Sequence, residues 1–93
     1  MPGVGDALTS IIRHRYGIPA CQRCHETAGR MNLLGVDGCR AAVDELAKEI
    51  ELNAKARLWT SIAANLAGFT VGDYARLVLE ACDTIEAATN QAE

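Results

Sequence analysis

The sequence predicts an all-α protein, a compact bundle of four to five helices that includes one long central helix. Apolar residues recur at intervals of three and four along most of the chain, which is the spacing of helix faces packed on a core. Aromatic residues make up only 4% and prolines number two, whereas strands favour aromatic and β-branched residues. A chain of 93 residues is short, so we expect one domain, residues 1–93.

The first two helices are expected at about residues 6–16 and 25–34. The first helix presents an apolar face made of Leu8, Ile11, Ile12 and Tyr16. It should stop at Gly17, because glycine readily takes the left-handed backbone that ends helices. The second helix should stop at Gly35 for the same reason, followed by a tight turn at residues 36–38.

The long central helix is expected at about residues 38–67, since no glycine or proline occurs from residue 39 to residue 67. This length exceeds that of the usual globular helix, so we expect a break between Leu52 and Ser61. The last helix is expected at about residues 71–88, and its buried face should carry Tyr74, Leu77, Val78, Ala81, Ile85 and Ala88. Thr70 is a suitable N-cap for it, because an acid, Asp73, follows three positions later as in a capping box.

The charge is unevenly distributed along the chain. Residues 1–40 carry five arginines against three acids, a net charge of +2, while residues 41–93 carry four basic residues against nine acids, a net charge of −5. The arginines of the first half, Arg13, Arg15, Arg23, Arg30 and Arg40, are candidate contacts for an anion or a partner, against the simpler interpretation that they solvate helix faces. The overall net charge of −3 argues against nucleic-acid binding.

Cys21-Gln22-Arg23-Cys24-His25 is the segment with recognisable chemistry, and Cys39 follows it. Thiolates at C-x-x-C spacing can bind one metal ion when a turn brings both sulfurs to one side. We therefore expect Cys21, Cys24 and Cys39 to be metal ligands, with His25 or Cys82 as a candidate fourth ligand and zinc as the favoured ion. Such a site predicts that no regular helix forms at residues 21–24, because a helix starting at Cys21 would carry Cys39 to its far end.

Four alternatives to zinc remain open for these cysteines, one of which is a disulfide or redox pair. An iron–sulfur cluster would use all four, and C-x-x-C-H is also the attachment signature of c-type haem, with His25 as the iron ligand. Either cofactor would indicate a redox or electron-transfer protein. Alternatively, the cysteines are small core residues, for which Cys82 on the apolar face of the last helix is the best example.

The order of features resembles a group of small bacterial and phage proteins that have no established activity. The matching pattern is Gly3-Val4-Gly5, the aromatic residue before Gly17-Ile18, the close cysteine pair, Ala28 with Met31-Asn32, and Gly35 with Gly38-Cys39. The resemblance implies that Cys21, Cys24 and Cys39 belong together. It does not extend to His25 or Cys82, so it leaves the fourth ligand open.

From these observations we expect a cytoplasmic, non-enzymatic binding module, either a monomer or a homodimer, whose metal ion staples the first half of the chain to the long helix. A protein partner is expected, and a membrane is not, because the longest apolar stretch is too short to span one. A metal-free adaptor acting between a phage and its host is the remaining alternative.

Overall fold

The computed structural model describes residues 3–17, 22–55 and 68–92, with residues 22, 23, 91 and 92 described by their backbone alone. Within these ranges the chain forms four α-helices and no strand, which confirms the all-α prediction. The helices are α1 (Val4–Tyr16), α2 (Gln22–Ala41), α3 (Val43–Lys55) and α4 (Val71–Ala92).

Helices α2 and α4 each pack against the other three helices. The buried face of α4 carries Tyr74, Leu77, Val78 and Ala81 from the predicted apolar stripe. On the other helices, the largest completely buried side chains are Met31, Leu46 and Val4. The bundle is compact, with a Cα radius of gyration of 12.6 Å, close to the roughly 12 Å typical of a domain of this length.

Two of the predicted helix ends are confirmed. Gly17 takes the left-handed conformation with φ 69°, and its N–H donates to the carbonyl of Arg13 at 2.9 Å. At the start of α4, the Thr70 hydroxyl accepts from the Asp73 N–H at 3.3 Å and the Asp73 carboxylate accepts from the Thr70 N–H at 2.8 Å. The hydrogen bonds that the Asp73 carboxylate accepts from the Thr70 N–H and, at 3.1 Å, from the Thr70 hydroxyl lower the pKa of Asp73.

Helix α2 differs most from the prediction. It begins at Gln22 instead of residue 25, and the chain becomes helical again after Gly35, where a tight turn was expected at residues 36–38. Gly35 has φ 72° and ψ −176°, a combination that only glycine adopts readily, so the change of direction is confined to this one residue. The expected turn at residues 36–38 is therefore wrong.

The central helix from residue 38 is interrupted earlier than expected. Ala42 forms a turn between α2 and α3, yet the hydrogen bonds from Ala42 N–H to Gly38 O and from Leu46 N–H to Ala42 O remain, both at 3.0 Å. The chain thus bends here at little cost in backbone hydrogen bonding. A break was expected between residues 52 and 61, and residues 52–55 of this range are helical. Residues 56–67, which include the rest of the expected break and the end of the expected long helix, lie outside the described residues.

Candidate functional site

The cysteines lie in different environments. Cys21 is outside the described residues, and Cys24 is partly buried in the first turn of α2. Cys39 and Cys82 are both completely buried, on the second segment of α2 and on α4. Because α2 begins at Gln22, the prediction that no regular helix forms at residues 21–24 is wrong for residues 22–24.

The structure does not bring Cys24 and Cys39 together. The Cys39 Sγ donates to the Met31 carbonyl at 3.3 Å, so its place is beside Met31. From Cys24 to Met31 the helix is continuous, and seven residues rise by about 10 Å. Two thiolates on one zinc ion lie about 4 Å apart, since each Zn–S bond is about 2.3 Å long. In this conformation Cys24 and Cys39 are too far apart to share an ion.

Cys39 instead belongs to the same buried apolar cluster as Cys82. The Cys82 Sγ donates, at 3.8 Å, to the carbonyl of Val36. Burial among apolar side chains raises the pKa of the Cys39 thiol to about 11, with the nearby Cys82 adding to the effect. Burial also raises the pKa of Cys82. Both sulfurs are therefore protonated thiols at neutral pH.

Among the described residues, no three His, Cys, Asp or Glu side chains are grouped so that they could hold a metal ion. His25, a candidate zinc and haem ligand, is exposed on α2. Cys21, the third cysteine of the predicted site, lies outside the described part of the chain, so its place relative to Cys24 and Cys39 stays a prediction. What the structure does show is that Cys39 shares the apolar core with Cys82, which the spacing in the sequence did not indicate.

Three of the five candidate anion-binding arginines pair with carboxylates on other helices. Arg15 makes two hydrogen bonds to Glu80, at 2.5 and 2.8 Å, and Arg30 pairs with Glu49. Arg40 contacts two carboxylates of α4, those of Asp83 at 2.9 Å and Glu86 at 2.6 Å. Arg13 is exposed, and the side chain of Arg23 lies outside the described residues.

These ion pairs explain the uneven charge of the sequence. Each joins an arginine from residues 1–40 to an acid from residues 41–93, so the basic half of the chain is held against the acidic half. The pairing with Arg15 lowers the pKa of Glu80. The arginines engaged in this way have less capacity to bind an external anion.

A polar junction between α1 and α2 is a feature that the sequence did not reveal. The Asn32 side-chain oxygen accepts from the N–H of Gly5 at 2.8 Å and from that of Asp6 at 3.3 Å. Backbone N–H groups in the first turn of a helix have no partner within the helix, so Asn32 on α2 caps α1 from outside. We call the cluster of Gly3, Gly5, Ala28 and Asn32 the α1–α2 junction.

The junction has no space for larger residues. A Cβ atom on Gly5 would lie 1.9 Å from the Ala28 carbonyl oxygen, and one on Gly3 would lie 2.3 Å from the Asn32 side-chain oxygen. Val4 and Met31 are buried next to it. These are residues on which the family resemblance depends, and here they serve helix packing.

A second polar cluster joins α2 to α3. The Thr27 hydroxyl, 4% exposed, donates to Glu49 at 2.9 Å and accepts from the Asn53 side chain at 3.1 Å. Arg30 reaches the other oxygen of Glu49. A sequence signal for this cluster existed, because Asn53 stands three residues after Ile50 on the apolar face of α3. Because Thr27, Glu49 and Asn53 hydrogen-bond to one another, this cluster holds α2 against α3.

Comparison of the chain with known protein families, with curated proteins and with solved structures found no match. Within the described ranges, none of the helices combines the length and the apolar character needed to cross a membrane.

Proposed function

We propose that this protein is a non-enzymatic helical module that binds another protein through the outer face of α2, and that its fold does not depend on a metal ion. The observation that carries the proposal is a pair of adjacent exposed leucines, Leu33 and Leu34. Their side chains are 90% and 41% exposed. Burying an exposed leucine side chain against a partner would contribute about 1.5–3 kcal/mol of favourable free energy.

The surroundings of the leucine pair suit a protein contact. Arg30, one turn before Leu33, and Asp37, one turn after it, are both exposed. An apolar centre with charged residues at its rim is the usual arrangement of a protein–protein interface. A nucleic acid would instead favour a continuous basic face, and Arg30 already pairs with Glu49.

Two further observations support a module that folds without metal. The residues with catalytic or ligating chemistry that the structure describes are largely engaged in joining helices, as Arg15, Arg40 and Thr27 are. Cys39 and Cys82 complete the apolar core as protonated thiols. The zinc hypothesis and the iron–sulfur alternative would need Cys39 to leave this position, whereas c-type haem would use Cys21, Cys24 and His25 instead.

The metal-free part of the proposal is tested by elemental analysis and chelation. We expect protein purified without added metal to hold no stoichiometric zinc or iron, to show no visible absorption band, and to melt at the same temperature with and without a strong chelator. A Cys21→Ser/Cys24→Ser variant should melt within a few degrees of the wild type. Stoichiometric metal whose removal lowers the melting temperature would overturn this part.

The binding part is tested at the leucine pair. A photo-crosslinking amino acid at position 33 should capture one protein in cells of the source organism, and the purified partner should then bind Leu33→Glu about 10 to 100 times more weakly than wild type. Leu79→Glu is the matched control, because Leu79 is 39% exposed, like Leu34, but lies on α4. Equal binding by all variants would refute the assignment of this face. Sedimentation of the isolated protein would show whether the partner is a second copy.

A further inference from the structure

The charges around the exposed leucine pair of α2 change sign across the pair. Arg30 stands three positions before Leu33, and Asp37 stands three positions after Leu34. All four residues are exposed. A second copy of this segment running in the opposite direction would therefore place an aspartate opposite each arginine and a leucine opposite each leucine. Such self-complementarity is what a two-fold symmetric contact between identical chains requires.

The surface on the two sides of the pair is complementary in shape as well. Gly29, four positions before Leu33, leaves its surroundings open, since a Cβ atom there would meet no neighbouring atom of the described residues within 4 Å. Gly38, four positions after Leu34, is covered by that leucine, whose Cβ lies 3.0 Å and whose Cδ2 lies 3.4 Å from the place of a Cβ atom on Gly38. The antiparallel arrangement brings the covered glycine of one copy opposite the open glycine of the other.

We propose that the partner of this face is a second copy of the chain, and that the two α2 helices pair antiparallel across a two-fold axis at Leu33 and Leu34. The inference rests on the proposed function, because it names the occupant of the same face. In this pairing Arg30 of each copy meets Asp37 of the other, so the ion pair occurs twice. The guanidinium of Arg30 has five N–H donors and can bind that carboxylate while its Nη2 stays on Glu49.

The size of the contact determines its strength. The paired segment, residues 29–38, is about half of the 20–30 residues that each side of a standard stable interface contributes. The ion pairs at its rim are exposed, and exposed pairs add little free energy each. We therefore expect a weak and reversible dimer with a Kd on the order of 10–100 µM.

Sedimentation equilibrium of the purified chain, from about 1 µM to about 1 mM, tests whether the dimer forms on this face. We expect a monomer–dimer equilibrium that Leu33→Glu weakens by about 10 to 100 times, because two buried leucine contacts are lost at the axis. Leu79→Glu is again the matched control, since Leu79 is exposed on α4, and it should leave the equilibrium unchanged.

Variants with exchanged charges test the antiparallel arrangement. Asp37→Arg puts two arginines opposite each other at both symmetry-related places, and Arg30→Asp does the same with two aspartates, so each variant alone should dimerise about tenfold more weakly than wild type. An equimolar mixture of the two should regain the wild-type affinity, because every pair in the mixed dimer again joins an arginine to an aspartate. Arg30→Asp also loses the ion pair with Glu49, so circular dichroism first establishes that it folds. Asp37→Arg keeps that ion pair, and its result stands independently.

Three results would overturn the inference: a chain that stays monomeric at about 1 mM, a dimer that neither Leu33→Glu nor Asp37→Arg weakens, or folded charge variants whose mixture dimerises no better than its components. The proposed function has a separate outcome. A monomeric chain whose position 33 crosslinks to a different protein overturns the second copy as the partner and leaves the binding face in place. A monomeric chain whose position 33 crosslinks to no protein overturns both.

Discussion

Replacing Gly5 by alanine is the most direct test of how α1 is seated on α2. The added Cβ would lie 1.9 Å from the Ala28 carbonyl oxygen and 2.5 Å from the Ala28 carbonyl carbon and Cα. All three atoms belong to the backbone, so no side-chain rotation relieves the overlap. An ordinary contact of about 3.4 Å would require the two helices to separate locally by about 1.5 Å.

The expected loss of stability combines three contributions. Overpacking a tight contact costs about 3 kcal/mol at the upper end of its usual range. Separating the helices also breaks the 2.8 Å hydrogen bond from Gly5 N–H to Asn32, a capping interaction that contributes about 1 kcal/mol. Alanine returns about 1 kcal/mol through its higher helix propensity. The net destabilisation is about 3 kcal/mol, which for this chain length lowers the melting temperature by roughly 12–24 °C.

Urea unfolding followed by circular dichroism measures the change, with Gly29→Ala as the matched control. Gly29 is also helical, and a Cβ there meets nothing within 4 Å, so the control should be as stable as wild type or more stable by up to about 1 kcal/mol. Adding Ala28→Gly to Gly5→Ala should not restore stability, because the overlap is with backbone. A Gly5→Ala protein as stable as wild type, or one rescued by Ala28→Gly, would refute the reasoning.

Three further outcomes are expected. Asn32→Ala should lose about 1–2 kcal/mol of stability in urea unfolding, whereas Asn32→Asp should keep most of it, because a carboxylate still accepts from the start of α1 and its charge suits a helix N-terminus. At pH 8, Cys24 should react with a thiol reagent much faster than Cys39. The pKa of Cys39 is raised to about 11, so its thiolate fraction grows only as the pH rises toward that value; equal rates in a thiol-counting time course would contradict this. Arg15→Ala should return the lowered pKa of Glu80 to its usual range in an NMR titration, and an unchanged Glu80 titration would count against the pairing. Because the pKa of Glu80 is lower in the folded state, the ion pair stabilises the fold at pH values above the unfolded pKa of Glu80. This stabilisation is lost as the pH falls through the folded pKa.

The helices could be predicted because their signals are local. The apolar spacing around Tyr74, the capping pair of Thr70 and Asp73, and the stop at Gly17 each depend on residues within a turn or two. Gly35 was recognised as a break, but the sequence around it does not determine whether the chain continues as a turn or as another helical segment. That outcome depends on packing against α4.

The site was harder to predict because its contacts join distant residues. The close spacing of Cys21 and Cys24 indicates that Cys39 would join them, whereas the helical path of α2 carries Cys39 away from Cys24 and into the apolar cluster that also holds Cys82. Likewise, nothing within α2 indicates that Asn32 caps a different helix. Such relations depend on how two helices are rotated about their axes, which periodicity within each helix does not specify.

The contacts between α1 and α4 bear on how the chain is synthesised. Arg15 on α1 pairs with Glu80 on α4, much later in the chain. Tyr16 stacks edge-on against Phe69, just before α4, with ring centroids 5.3 Å apart. The α1–α2 junction, by contrast, joins segments made early. A nascent chain can therefore assemble its first two helices while the apolar surface that α4 covers is still open to chaperones and proteases. A chain that stops short of α4 lacks the helix that packs against the other three, and it leaves this apolar surface exposed.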